Sequence, residues 1–210
     1  NLGLAQGLEA SNPELLKSSL GQQLHDLLKA GKGREAFYLL VQWMAKGSEA
    51  LVSNDAYLTS VWEMNNAVAE RYNNPGTFTS LIGYEWTSQP GGGNLHRVVI
   101  FRDDKALTDK ILPFSAFDSE DVEDLWAFMA AYESQLGGRV LAIPHNGNLS
   151  SGTMFLPQHQ KSRMAIDADY ARMRQRFEPI TEVTQAKGTG ETHPLLSPED
   201  EFTNFNIVDN

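Results

Sequence analysis

The segment FTSLIGYEWTSQPGGGNLHRVVIFRD, residues 78–103, constrains the fold more than any other part of the sequence. Two runs rich in Val, Ile, Phe and Tyr, at 78–86 and 95–102, flank a loop of Gly and Pro, a pattern that predicts two strands joined as a β-hairpin. Glu85 and His96 stand at the loop-facing ends of these runs. Antiparallel pairing would bring both side chains to the same end of the sheet. We therefore predict that this carboxylate and this imidazole lie close together.

Three helical stretches precede the hairpin. Asn12, followed by Pro and Glu, is a typical helix start, and Leu residues recur at helical spacing as far as Gly31. The stretch 34–46 is apolar almost all round, which predicts a well-buried helix. A third helix is predicted from about Asn54 to Tyr72. Three successive helices indicate that residues 1–77 form a helical insertion or cap region.

The chain alternates between helices and strands after the hairpin. Ser119 and two acids open a helix that Gly137 ends, and the run 139–148 reads as a buried strand with a polar exit. A helix at about 164–176, a short strand at 178–188 and a last helix from Ser197 follow. This order predicts that residues 78–210 form an α/β fold with its sites at the carboxyl ends of strands, within one domain overall.

Composition excludes several functions. The 210 residues include 17 basic and 27 acidic side chains, a net charge of −10, so phosphate backbones are repelled and no nucleic-acid partner is expected. Without Cys there is no disulfide, zinc–thiolate site or cysteine nucleophile. No apolar run has the length of a membrane span, so no membrane partner is expected. The compartment stays open between cytoplasmic and exported.

Three residues have side chains suited to a metal ion. Divalent ions bind carboxylates and neutral imidazoles supplied from several strand ends, and Glu85, His96 and His145 meet that requirement. His145 stands in a tight turn, PHNG, directly after a predicted strand. The alternative is that Glu85 is a solvated carboxylate and His96 a cross-strand surface residue, because their spacing forms no local metal-binding motif.

Four further residues are assigned to substrate binding: Arg97, Asn146, Lys187 and His193. Lys187, in a Gly-flanked loop, either binds a phosphate or is merely solvated. His193 precedes a proline that fixes an extended backbone, so it is either a site residue or a loop anchor. The chain has no G-x-S-x-G motif, and its three consecutive glycines lack the Lys-Ser/Thr of a P-loop.

The motifs IGYEWTS, GGNLHRVVIFRD, AIPHNGNLSSGTMF, EVTQAKG and ETHPLLSPEDEF occur in this order. Together they resemble a bacterial branch of the PHP (polymerase and histidinol phosphatase) superfamily that is known as a domain of unknown function. The likeness covers nearly the whole chain, including the helical lead NPELLKSSLGQQLHDLL. It implies a distorted, TIM-barrel-like (β/α)₇ barrel whose two- or three-metal centre, of zinc, manganese or iron, hydrolyses phosphate esters.

The resemblance also implies a role for each candidate ligand. Glu85 matches the superfamily's metal-bridging carboxylate, and His96 matches a ligand of relatives with a similar hairpin. His145 matches the histidine of a His-Pro-type motif, although here the proline comes first. The superfamily's His-x-His, Thr-Asp-His and closing Asp-x-His motifs do not occur in the 210 residues. The chain therefore looks like the central segment of an incomplete barrel, with exposed edges that favour self-association.

The expected function is that of a segment of a metal-dependent hydrolase. The resemblance points to a phosphoesterase that acts on a small phosphorylated or other small-molecule substrate through a metal-bound hydroxide. Two alternatives share the fold: a non-catalytic PHP-like binding or structural module, and a metallohydrolase that cleaves a non-phosphate bond. The isolated segment is expected to bind metal weakly or not at all, because a partial ligand set neither neutralises nor encloses the ions.

Overall fold

A computed structural model describes residues 12–45, 55–186, 188–189, 194–195, 198–199 and 201. The chain divides into two compact units, which we describe separately. Unit 1 contains the residues up to Ile82 together with Asp104–Leu112, and unit 2 contains Gly83–Asp103 and the residues from Pro113 onward. The predicted boundary after residue 77 falls within unit 1. No helix in the part of the chain that the structure describes has the length and hydropathy to cross a membrane.

Six α-helices and five strands are described. The helices are α1 (Ser19–Lys29), α2 (Gly33–Ala45), α3 (Asp55–Tyr72), α4 (Lys105–Thr108), α5 (Val122–Leu136) and α6 (Ala168–Phe177). The strands are β1 (Ile82–Trp86), β2 (Arg97–Phe101), β3 (Val140–Pro144), β4 (Thr184–Gln185) and β5 (Gly188–Thr189). Short 3₁₀ turns cover Leu15–Lys17, Pro90–Gly92 and Gly147–Leu149.

The first helix begins later than its sequence predicts. Asn12 does accept hydrogen bonds from the next backbone N–H groups, but the turn that it caps is the 3₁₀ turn Leu15–Lys17. Ser18 is extended, and its Oγ accepts from the N–H of Gly21 at 2.9 Å, so Ser18 is the N-cap of α1. A Cβ at Gly21 would lie 1.9 Å from the carbonyl oxygen of Leu15, so this tight corner requires glycine.

Unit 1 is built around a small helical core. Leu15, Leu24, Ala36 and Tyr57 are buried together, with partly buried leucines of α1 and α2 around them. The prediction that α2 is buried almost all round is wrong, because the side chains of Phe37 and Tyr38 are mostly exposed. A helix of this length that packs through one face leaves the opposite face to solvent, whatever its composition.

Unit 1 also includes a short helix that the sequence did not reveal. The indole Nε1 of Trp62 donates to the carbonyl oxygen of Thr108 at 2.8 Å. One helical turn later, Asn66 Nδ2 donates to Asp109 Oδ1 at 2.8 Å. These two bonds hold α4 against α3. With only four residues, α4 is too short to show a helical apolar period in the sequence.

The sheet of unit 2 has three strands in the order β1-β2-β3. β2 and β3 pair antiparallel, from Arg97 opposite Pro144 to Phe101 opposite Val140. The predicted strands at 78–86 and 95–102 are thus confirmed in shorter form. The described residues combine helices with a small antiparallel sheet and do not show the expected (β/α)₇ barrel. Crossover helices of a barrel join parallel strands, whereas α5 here links two strands that run in opposite directions.

Capping residues define the long helix α5, as predicted. The Asp121 side chain accepts from the N–H of Glu123 at the start, and Gly137 in the left-handed conformation ends the helix. Leu125, Trp126, Met129 and Tyr132 form its buried face. Apolar side chains at this spacing lie on one side of a helix, which explains why the sequence located α5 well.

The last predicted elements differ from the structure. The helix predicted at 164–176 is α6 at Ala168–Phe177. The strand predicted at 178–188 is replaced by β4 and by the first residue of β5, which pair with each other as a short antiparallel turn. Glu178 is buried and its carboxylate contacts Arg97, and the N–H of Glu182 donates to the carbonyl oxygen of Pro144, so this ion pair and isolated hydrogen bonds hold the segment in place of a continuous strand ladder. The predicted helix from Ser197 lies largely outside the described residues.

Candidate metal centre

The register of the sheet brings two of the predicted ligands together. Because β2 and β3 run antiparallel, the start of β2 lies beside the end of β3, with Arg97 opposite Pro144. The preceding His96 and the following His145 are therefore opposite each other, and the N–H of His145 donates to the carbonyl oxygen of His96 at 3.2 Å. Glu85 is the next-to-last residue of β1, the strand that flanks β2 on the side opposite to β3.

The three side chains are close enough to share one ion. Oε1 of Glu85 lies 2.9 Å from Nδ1 of His96 and 3.5 Å from Nε2 of His145. All three candidate ligand atoms lie within 4.8 Å of one another, and no other group of three or more His, Cys, Asp or Glu among the described residues does so. Ligands bound tetrahedrally to zinc at 2.0–2.1 Å are about 3.3 Å apart, so this spacing suits one such ion.

Three imidazole nitrogens at this site are buried without a hydrogen-bond partner: both nitrogens of His96 and Nε2 of His145. The 2.9 Å approach of His96 to Glu85 has the distance of an ion pair but not the angle of a hydrogen bond. An unpaired buried polar group costs about 1–3 kcal/mol, so a cation that binds the one free lone pair of each neutral imidazole ring would be favoured. The Glu85 side chain is 38% exposed and leaves one side of the group accessible.

The Glu85 carboxyl is ionised over the physiological range. Contact with the imidazole of His145, and then with that of His96, holds the pKa of Glu85 well below its usual range, against a smaller opposing effect of burial. A carboxylate that is already deprotonated releases no proton when it binds a cation. The donor set of one carboxylate and two imidazoles is one that catalytic zinc sites use, with a fourth position left open.

Asn146 contacts the ring of His145 directly. Its Nδ2 lies 3.0 Å from Nδ1 of His145, its backbone N–H donates to Oε2 of Glu182 at 3.0 Å, and its side chain is buried. The residue has a left-handed conformation (φ 60°, ψ 33°), which Asn tolerates better than most residues do. Oδ1 of Asn146 is buried without a partner. Asn146 was predicted to bind substrate; the structure shows its amide in contact with a candidate ligand, and the substrate-binding role stays a prediction.

Arg97, another residue predicted to bind substrate, has its side chain engaged by other protein groups. The side chain of Arg97 is buried, with Nε donating to Oε1 of Glu178 at 2.9 Å and Nη1 donating to the carbonyl oxygen of Leu95 at 2.6 Å. Its guanidinium is thus already occupied by protein acceptors. Lys187 and His193 lie outside the described residues, and their assignment stays a prediction.

Two acidic residues that contact predicted site residues were assigned no role from the sequence. Glu182 accepts from Asn146 and from the side-chain amide of Gln185. Glu178, a buried carboxylate, accepts from Arg97 and from Nε1 of Trp126 at 3.0 Å. An acid directly before Pro179, at the end of an amphipathic helix, is the one sequence signal that could have drawn attention to Glu178.

Comparison with known proteins gives one result. Neither the curated proteins nor the solved structures include a match to this chain. The model of the family described as "Protein of unknown function (DUF3604)" matches residues 1–210, which is the whole chain. The chain therefore belongs to this DUF3604 family of unknown function.

Proposed function

We propose that Glu85, His96 and His145 bind a divalent cation and that the protein is a metal-dependent hydrolase of phosphate esters. The observation that supports metal binding is the convergence of one ionised carboxylate with three buried, unpartnered imidazole nitrogens. The choice of phosphate esters rests on the sequence resemblance to the PHP superfamily, with its metal-bridging Glu and its motif histidine.

The ligand set favours a borderline cation over a hard one. Two imidazoles and a carboxylate suit zinc, manganese or iron better than calcium or magnesium, which prefer oxygen ligands. A cation held here would supply Lewis acidity and a water of lowered pKa near the exposed side of Glu85. One carboxylate neutralises half of a divalent charge, so a phosphate oxyanion on the accessible side would complete the neutralisation.

Asn146 can stabilise the ring tautomer of His145 that binds a cation, in which Nδ1 carries the proton. A cation bound to Nε2 of His145 requires the ring proton on Nδ1, and the Asn146 amide lies 3.0 Å from that atom. A half-turn of this amide presents Oδ1 to accept the proton, whereas Nδ2 donates when Nδ1 is bare. Asn146 can therefore stabilise the ring both before and after metal binding, and its contact with Glu182 fixes its backbone.

Metal titration calorimetry tests the proposal with zinc and manganese. We expect Glu85→Gln to lower the affinity at least tenfold. The matched control is Glu123→Gln, because Glu123 makes a similar carboxylate contact with a histidine, at 2.9 Å from Nδ1 of His159, outside the cluster. Unchanged metal affinity in the Glu85 variant, or an equal loss in both variants, would refute the assignment.

Hydrolysis assays separate the proposed activity from its alternatives. We expect the zinc- or manganese-loaded protein to release phosphate from p-nitrophenyl phosphate, and the Glu85→Gln variant not to. Metal binding without any hydrolysis would instead favour a binding module. Cleavage of p-nitrophenyl acetate but not of the phosphate would favour a metallohydrolase of non-phosphate bonds.

A further inference from the structure

A cavity of about 320 Å³ lies beside the end of β3, within unit 2. Its volume lies at the lower end of the range for small-molecule sites, which are mostly apolar and carry a few polar groups. The lining has this character. The apolar walls are Pro144, Phe155, Pro179 and Ile180, and the charged groups are Arg174 and Glu178.

The cavity and the candidate metal centre are on opposite faces of the sheet. Successive side chains along a strand point to opposite faces, and Pro144 lines the cavity whereas the next residue, His145, belongs to the metal cluster. The same alternation separates Arg97, the register partner of Pro144, from His96. The cavity is therefore a separate site and not an extension of the metal centre.

Arg174 differs from the other two arginines of α6 in its partners. Arg172 and Arg176 each have a carboxylate oxygen within hydrogen-bond distance. Nε of Arg174 is 3.9 Å from Oε2 of Glu178, and among the residues that the structure describes none accepts a hydrogen bond from its guanidinium. The donors of Arg174 are therefore left for a ligand or for water.

The guanidinium of Arg174 is oriented by an apolar wall of the cavity. It lies over the ring of Phe155, 4.3 Å from the ring centroid, and the Arg174 side chain is 25% exposed. Stacking covers one flat face and leaves the N–H groups at the edge able to donate. Phe155 and Ile180 are themselves 48% and 56% exposed, so a ligand beside Arg174 would remove apolar surface from water.

The charges around the cavity favour a ligand with one negative charge. Oε1 of Glu178 accepts from Nε of Arg97 at 2.9 Å, and both side chains are buried, so the charge of Glu178 is already balanced. The charge of Arg174 remains, on a protein whose net charge is −10. An ammonium group would be repelled by Arg174, and the two charges of a phosphate would exceed the one available. A carboxylate matches both the charge and the two-pronged geometry of a guanidinium.

We infer that this cavity binds a small organic acid with one carboxylate and an apolar body. The carboxylate accepts hydrogen bonds from Arg174, and the apolar body covers Phe155, Pro179 and Ile180. This binding site uses none of the three candidate metal ligands, so it stands whether or not the protein is a metal-dependent hydrolase.

Three probes test the inference in the unaltered protein: phenylacetate, its uncharged analogue phenylacetamide, and acetate. Each is titrated into protein with ¹³C-labelled isoleucine methyl groups, and the NMR signals of Ile180 are followed. Ile166 is the control, because it is 42% exposed and does not line the cavity. We expect saturable shifts at Ile180 and not at Ile166. Phenylacetate should bind at least about tenfold more tightly than phenylacetamide, which lacks the charge, and than acetate, which lacks the apolar body.

Two variants locate the preference for the acid. Arg174→Met keeps an apolar side chain without the charge and should bring the ratio of the dissociation constants of phenylacetamide and phenylacetate to near one. Arg172→Met removes the same charge from the same helix, at a side chain that is 68% exposed, and should retain the ratio. A preference that survives in Arg174→Met arises elsewhere, such as at the metal centre, and overturns the inference.

The measurements on the unaltered protein decide the matter even if Arg174→Met does not fold. Equal dissociation constants for phenylacetate and phenylacetamide overturn the role of Arg174. Acetate that binds as tightly as phenylacetate overturns the role of the apolar walls. Ile180 signals that do not shift, or that shift no more than those of Ile166, overturn the site itself.

Discussion

Replacing Asn146 by glycine should lower metal affinity without lowering the stability of the fold. Glycine adopts φ 60° without strain, so the turn after β3 keeps its path. The substitution removes only the buried amide that contacts Nδ1 of His145 at 3.0 Å. We expect zinc affinity to fall while the free energy of unfolding of the metal-free protein stays nearly constant.

The two magnitudes follow from the contacts. Loss of a group that orients a metal-binding histidine typically lowers metal affinity about 10–100-fold, which is about 1.4–2.8 kcal/mol. For folding, glycine adopts the left-handed conformation at less cost than Asn does, which gains up to about 1 kcal/mol. Loss of one hydrogen bond costs about 1 kcal/mol, so the two contributions nearly cancel.

Asn146→Asp is the complementary change. Its carboxylate only accepts hydrogen bonds, so it favours a proton on Nδ1 of His145 and leaves Nε2 for the cation. We expect this variant to bind zinc at least as tightly as the unaltered protein. The ¹⁵N chemical shifts of the His145 ring should report the Nδ1–H tautomer.

Competition against a fluorescent zinc chelator measures affinity, and urea unfolding of the metal-free protein measures stability. The reasoning is refuted if the glycine variant binds zinc as tightly as the unaltered protein. It is also refuted if affinity falls only in proportion to a loss of stability, since Asn146 would then be a folding residue alone.

Three further predictions concern stability. Asp121→Asn should raise the free energy of unfolding at pH 7. Burial raises the pKa of Asp121 in the folded protein, so ionising this carboxyl costs stability. The gain should vanish below pH 3.8, where the carboxyl is protonated in both the folded and the unfolded protein. Asp124→Asn should lower the free energy of unfolding at pH 7, because hydrogen bonds from Lys161 and Ser119 lower the pKa of Asp124 and so its ionised form stabilises the fold. This stabilisation is full above pH 3.8 and is lost as the pH falls below that value. Equal dependence of stability on pH in the two variants would contradict both predictions. Gly138→Ala should lower the free energy of unfolding, measured in urea, by about 1–3 kcal/mol, because the added Cβ would lie 2.3 Å from the Tyr132 ring. The control is Gly147→Ala, whose added Cβ would meet no atom within 4 Å and should leave the free energy of unfolding nearly unchanged.

Local pattern was enough to predict several elements. Alternating β-branched and aromatic residues around a glycine-rich loop predicted β1 and β2, and capping residues at both ends predicted α5. The same local reading identified Glu85, His96 and His145, because their donor atoms suit a metal ion and each stands near a strand end. The errors of this reasoning lie where packing overrides local pattern, as in α2, where Phe37 and Tyr38 are mostly exposed although the helix is apolar almost all round.

Only the tertiary structure decided which side chains meet. The pairing of Arg97 with Pro144 sets His96 opposite His145, and a shift of one residue would move one histidine to the other face. Likewise, Arg97 and Glu178 are 81 residues apart, and no local pattern marks them as partners. The sequence determined the chemistry of the site and the strands that carry it. Antiparallel register and burial decided its geometry, because both depend on contacts between segments distant along the chain.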